Sequence, residues 1–114
     1  LCEYPAVFGS AICMSTHWIG SFGLEKNPIP GQMLTYLRKA LPAKGGHKLY
    51  FDRGTIGLES LYEHAQLEAD ALFLARYADT KKFTSKVYQG SDHSEAAWAE
   101  RLNIPLIFVY PKTK

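Results

Sequence analysis

The chain is 114 residues long, 46% apolar and 21% charged, the make-up of one ordinary globular domain, and residues 1–114 are expected to form a single domain. A formal net charge of +2, with lysines and arginines dispersed among the acids, leaves no basic stripe for nucleic acid. No apolar run approaches the length of a bilayer span, so neither nucleic acid nor a membrane is expected as a partner.

In chain order, Leu1 to Pro5 reads as the last turn of a helix, because its apolar residues start without a cap and a proline closes the segment. Cys2 and Cys13 have no CxxC spacing and are too few for a disulfide framework, so they read as buried thiols, suited to a reducing, cytoplasmic compartment. Gly9 to Met14 is a continuous run of small and apolar residues, the pattern of a strand covered on both faces. Thr16 to Pro28 carries turn signals: Gly20-Ser21, Gly23 and Asn27-Pro28. Within it Trp18 reads as core packing ahead of pocket lining, and His17 as a surface or structural residue ahead of a catalytic one. Pro30 suits the first turn of a helix, and Met33, Leu34, Leu37 and Leu41 follow at helical spacing up to Pro42. The loop from Ala43 to His47 has the Gly45-Gly46 pair of a turn and no phosphate-binding glycine fingerprint.

Lys48 to Asp52 is the second strand, and the loop leaving it ends on a second acid, Glu59. Asp52 suits an acceptor for loop amides, and Glu59 a first-turn acid favoured by the helix dipole. Leu58, Leu61, Tyr62, Ala65, Leu67, Ala69, Leu72, Phe73 and Arg76 then give one long helix with a broad apolar face. After the polar turn from Ala78 to Lys82, Phe83 to Tyr88 is the third strand. Gly90-Ser91 makes a tight turn, and Asp92 or Ser94 can cap the helix that follows. His93 therefore lies on a strand-to-helix loop at the carboxyl end of a strand, where open α/β sheets bind ligands and where an imidazole can exchange a proton near neutral pH. The bland alternative is a histidine that hydrogen-bonds locally or faces water. The last helix runs through Trp98 to Leu102 and is interrupted at Asn103-Ile104-Pro105; Leu106 to Tyr110 fits a helix or an edge strand equally. Strand and helix alternate throughout, which predicts an α/β fold with a short, mostly parallel sheet and helices over it.

Two segments together resemble a known family. Tyr50-Phe51-Asp52-Arg53-Gly54-Thr55 with an acid at Glu59, and Gly90-Ser91-Asp92-His93-Ser94-Glu95 with Trp98 and Arg101-Leu102, are similar to the C-terminal part of the α/β-hydrolase esterases that include S-formylglutathione hydrolases, siderophore esterases and feruloyl esterases. The resemblance implies the C-terminal portion of a three-layer α/β/α hydrolase fold, and a serine esterase acting on a small-molecule carboxylic ester or thioester. His93 would take the serine proton and later activate water, while Glu59 would hold its tautomer and stabilise the imidazolium. It implies no cofactor. It also implies no metal, and His17, His47, His64 and His93 have no ligand spacing.

The chain departs from the family in two places. No GxSxG occurs in it, so the resemblance puts the nucleophile and the oxyanion donors upstream of Leu1 and leaves these residues inactive by themselves. Glu59 stands where the family more often has aspartate. A sheet exposed along the edge of its first strand would favour a homo-oligomer in isolation. Two other readings stand beside this one: a non-catalytic α/β module that folds by self-association, and a flavodoxin-like binder, which the missing phosphate loop disfavours.

Overall fold

The middle strand organises the molecule. In the computed structural model, which describes residues 1–43, 46–78 and 81–112, Lys48–Arg53 forms strand β2, and five of its six residues are buried. Strand β1, Ser10–Met14, and strand β3, Phe83–Val87, flank it in the order β1-β2-β3, and both pairings are parallel. The register sets Ile12 beside Tyr50 and Met14 beside Asp52 on one side, and Phe51 beside Ser85 on the other. Parallel strands need long crossovers, and helices supply them. Helix α1, Ile29–Ala40, connects β1 to β2; helix α2, Glu63–Arg76, connects β2 to β3; helices α3, Glu95–Arg101, and α4, Asn103–Val109, follow. The described residues thus form an α/β domain with a three-stranded parallel sheet and four α-helices.

Side chains on β2 alternate between its two faces, as the pleat requires. Leu49 and Phe51 enter an apolar cluster with Trp18, Leu34, Tyr62, Ala69, Phe73 and Phe83. Its aromatic rings pack in sequence, Trp18 on Phe51 at 5.9 Å, Phe51 on Phe73 at 4.7 Å and Phe73 on Phe83 at 5.3 Å between centroids. Trp18 is a core residue, as its composition suggests, and its indole N–H donates to Gln66 Oε1 at 2.8 Å. Tyr50 and Asp52 point the other way, toward Phe108 of α4 and Arg101 of α3.

Local chemistry sets the helix ends. Pro30 sits in the first turn of α1, where a missing N–H costs nothing, and Asn27 Oδ1 accepts from the Ile29 amide at 2.9 Å. Ser94 caps α3 by accepting from the Ala97 amide at 3.3 Å, leaving Asp92 to accept from the Ser94 hydroxyl at 2.6 Å. Pro105 lies in the first turn of α4, so the chain restarts as a helix and Leu106 to Val109 is helical rather than an edge strand.

Several expectations are corrected. Leu1 to Pro5 is not helical: the chain turns after it, where Tyr4 O accepts from the Val7 and Phe8 amides at 3.0 Å each. All five residues of β1 are only half-buried: Ala11 and Cys13 pack against the core and α4 touches the strand, so its cover is partial where full burial is expected. Cys2 and Cys13 are likewise half-buried. The helix expected from Leu58 is broken, with a 3-10 turn over Gly57–Leu61 and α2 beginning at Glu63. The turns expected at Gly45 and at Asp79-Thr80 lie outside the described residues. No helix among the described residues is long and apolar enough to cross a membrane.

Candidate active site

The loops that leave β2 and β3 are stitched together, and one glycine permits it. A Cβ on Gly54 would stand 2.1 Å from the Ser91 carbonyl oxygen, so only glycine lets the two backbones approach this closely. That carbonyl accepts from the Thr55 amide at 3.0 Å, and Thr55 Oγ1 in turn accepts from the Gly90 amide at 2.9 Å. Gly90 turns the β3 loop with φ +78°, which brings the chain round to His93 and the Ser94 cap.

Glu59 hangs from the 3-10 turn and is fully buried. Its Oε2 accepts from the Gly54 amide at 2.8 Å, and its Oε1 lies 2.7 Å from His93 Nδ1. A buried acid placed like this is not a solvated helix-start residue. An ionised carboxylate only accepts, so His93 Nδ1 carries the proton and Nε2 keeps its lone pair. Among the described residues Nε2 makes no hydrogen bond, and the His93 side chain is 26% exposed. The imidazole is held edge-on by two aromatic neighbours, Trp98 at 5.0 Å and 89° and Tyr62 at 5.7 Å and 79°. The Trp98 indole N–H is buried and has no acceptor among the described residues.

Two residues of this neighbourhood escape sequence reasoning. Tyr62, assigned there to the apolar face of a helix, is fully buried, and its hydroxyl lies 3.4 Å from His93 Nδ1 and 2.5 Å from His17 Nδ1. Burial, reinforced by the Glu59 carboxylate, pushes the Tyr62 hydroxyl up to about 12, so it stays protonated. His17 comes from the loop after β1, and its ring centre is 5.9 Å from that of His93. The signal for Tyr62 was its spacing: in a 3-10 turn residues three apart eclipse, which puts Tyr62 on the side of Glu59.

The other acid belongs elsewhere. Asp52 is fully buried, and its two oxygens accept from Arg101 Nη2 at 3.0 Å, Arg101 Nε at 3.2 Å, the Ser15 amide at 3.1 Å and the Tyr50 hydroxyl at 3.0 Å. Arg101 Nη2 also donates to Ser15 Oγ at 2.9 Å, and its guanidinium lies 4.8 Å from the centre of the Tyr88 ring. Every lone pair of Asp52 is taken, so it anchors α3 to the sheet and does not face His93. The described residues contain no group of three or more His, Cys, Asp or Glu placed to hold a metal ion. Compared with protein-family profiles, with curated proteins and with solved structures, the chain matches none.

Proposed function

We propose that these residues supply the acid and the base of a Ser-acid-His triad in a serine esterase, with Glu59 as the acid and His93 as the base. One observation carries the reading: a fully buried carboxylate, fixed by a backbone amide, holds His93 Nδ1 at 2.7 Å, from loops that follow neighbouring parallel strands. That is the arrangement that makes Nε2 a competent general base and then stabilises the imidazolium. Packing of Leu49 and Phe51 against α2, and of Tyr50 and Asp52 against α3 and α4, supports a three-layer arrangement of the hydrolase type.

The substrate class is a carboxylic ester or thioester. His93 Nε2 takes the proton of a serine hydroxyl as its oxygen attacks the acyl carbon, returns it to the leaving group, and then draws a proton from water to release the acid. No GxSxG lies within these residues, and Ser15 is buried and bonded to Arg101, so the reading assigns the serine to polypeptide upstream of Leu1. The same reading places further strands along β1, whose five residues contain neither charge nor proline; the chain alone is expected to cover that edge with a second copy, read as a dimer or larger by light scattering during chromatography.

The test has two arms. The 114-residue chain is expected to hydrolyse no short-chain p-nitrophenyl ester above a buffer control. The protein read from the upstream frame is expected to contain a GxSxG and to hydrolyse the ester, with loss of turnover in His93→Ala and a drop of about 10⁴-fold in Glu59→Gln. Turnover by the short chain that disappears in His93→Ala would move the nucleophile inside these residues, and an extended protein without GxSxG or turnover would defeat the reading.

A further inference from the structure

The hydroxyl of Tyr62 lies between two imidazoles, and the direction of each hydrogen bond can be worked out from one end. Glu59 accepts at both oxygens, so His93 Nδ1 must donate. The proton it donates to Glu59 at 2.7 Å is also 3.4 Å, heavy atom to heavy atom, from the Tyr62 oxygen, which therefore turns a lone pair toward His93. The Tyr62 proton must then point to its remaining partner, His17 Nδ1 at 2.5 Å, which accepts it. His17 consequently carries its own proton on Nε2. The chain of bonds runs Glu59, His93, Tyr62, His17, and it ties together the loops after β1, β2 and β3.

We infer that Tyr62 and His17 are positioning residues for His93: His17 Nδ1 takes the Tyr62 proton, so that the Tyr62 oxygen backs the His93 Nδ1–H and keeps that nitrogen turned to Glu59. Neither residue needs to touch a reacting atom. Without His17 Nδ1, the Tyr62 hydroxyl, which stays protonated below about 12, would seek another acceptor. The Glu59 carboxylate, which meets the same His93 Nδ1, is one such acceptor, and there the hydroxyl would compete with His93. The consequence matters only if His93 is the base proposed above, on which the inference rests.

Imidazole nitrogen-proton correlation spectra of the isotope-labelled 114-residue chain test it, at about pH 8 where free imidazole is neutral. His93 is expected as the Nδ1–H tautomer with a low-field proton, and His17 as the Nε2–H tautomer. In Tyr62→Phe and in His17→Ala the His93 Nδ1 proton is expected to exchange about five- to tenfold faster, the factor of one net hydrogen bond. His17→Asn, whose amide oxygen can accept near the position of Nδ1, is expected to restore slow exchange. Unchanged core amide resonances in each variant separate lost positioning from lost folding. An Nδ1–H tautomer at His17, or a His93 proton indifferent to both Tyr62→Phe and His17→Ala, would overturn the inference. If instead Glu59→Gln leaves His93 unmoved, it is the acid–base reading that fails.

Discussion

Two buried acids seven residues apart, Asp52 and Glu59, make different use of the same strand and the loop that leaves it. Asp52 is saturated by a guanidinium, a phenol and an amide, while Glu59 spends one oxygen on a backbone amide and the other on an imidazole whose far nitrogen has no partner among the described residues. Full satisfaction is what a structural anchor needs. A base needs an unspent lone pair, and of the two clusters only that of Glu59 has one among the described residues, at His93 Nε2. Both clusters have a tyrosine beside the acid, and there too they differ: burial and the bond to Tyr88 drive the Tyr50 hydroxyl far above its ordinary range, whereas Tyr62 reaches about 12.

The largest expected effect is on the anchor. Asp52→Asn leaves Arg101, 4% exposed in its side chain, without its countercharge, and should cost about 3–5 kcal/mol in chemical denaturation. Glu59→Gln keeps an acceptor for Gly54 and should cost about 1–2 kcal/mol. Equal losses would erase the distinction between the two acids.

Gly54→Ala sharpens it from the backbone side. The added methyl must push the Ser91 carbonyl away, so the loops part and the contact between Glu59 and His93 lengthens. Overpacking of this kind costs about 1–3 kcal/mol, and the low-field His93 proton should vanish while the Asp52 cluster persists. Retention of that proton would show that the loops tolerate a wider gap.

Alkaline pH probes the tyrosines. A hydroxyl whose value is raised in the folded state contributes stability that is complete below its unfolded value, about 10, and lost as pH rises through the folded one. Tyr62 should lose its contribution as pH rises from about 10 toward about 12, and Tyr62→Phe should flatten the fall in melting temperature over that window. Tyr50 should ionise only on unfolding. A Tyr62→Phe profile identical to the parent's would remove Tyr62 from the alkaline response.

The smallest effect concerns Trp98. Its buried N–H has no acceptor among the described residues, so Trp98→Phe discards an unsatisfied donor while keeping an aromatic edge contact with His93. The change in stability should lie within about 1 kcal/mol of zero. A much larger loss would mean that the indole's extra volume carries the contact.

The elements themselves were readable. Apolar residues marked the first two strands and the polar turn before Phe83 opened the third, Pro30 and the spacing of Met33, Leu34 and Leu37 marked α1, and the Gly90-Ser91 turn put His93 on a strand-to-helix loop, because these signals act within a few residues. The pairing of Glu59 with His93 was expected only from a resemblance; the contact spans 34 residues and depends on how closely two loops approach. Tertiary structure alone decided that Asp52 belongs to Arg101, 49 positions away, that the long helix breaks into a 3-10 turn, and that Leu106 to Val109 is helical. It also decided the place of Tyr62, whose ring looked like core and whose hydroxyl is polar. Periodicity reports which face of an element is apolar, but the partner of a buried polar atom is set by whichever distant segment the sheet brings within three ångströms or so.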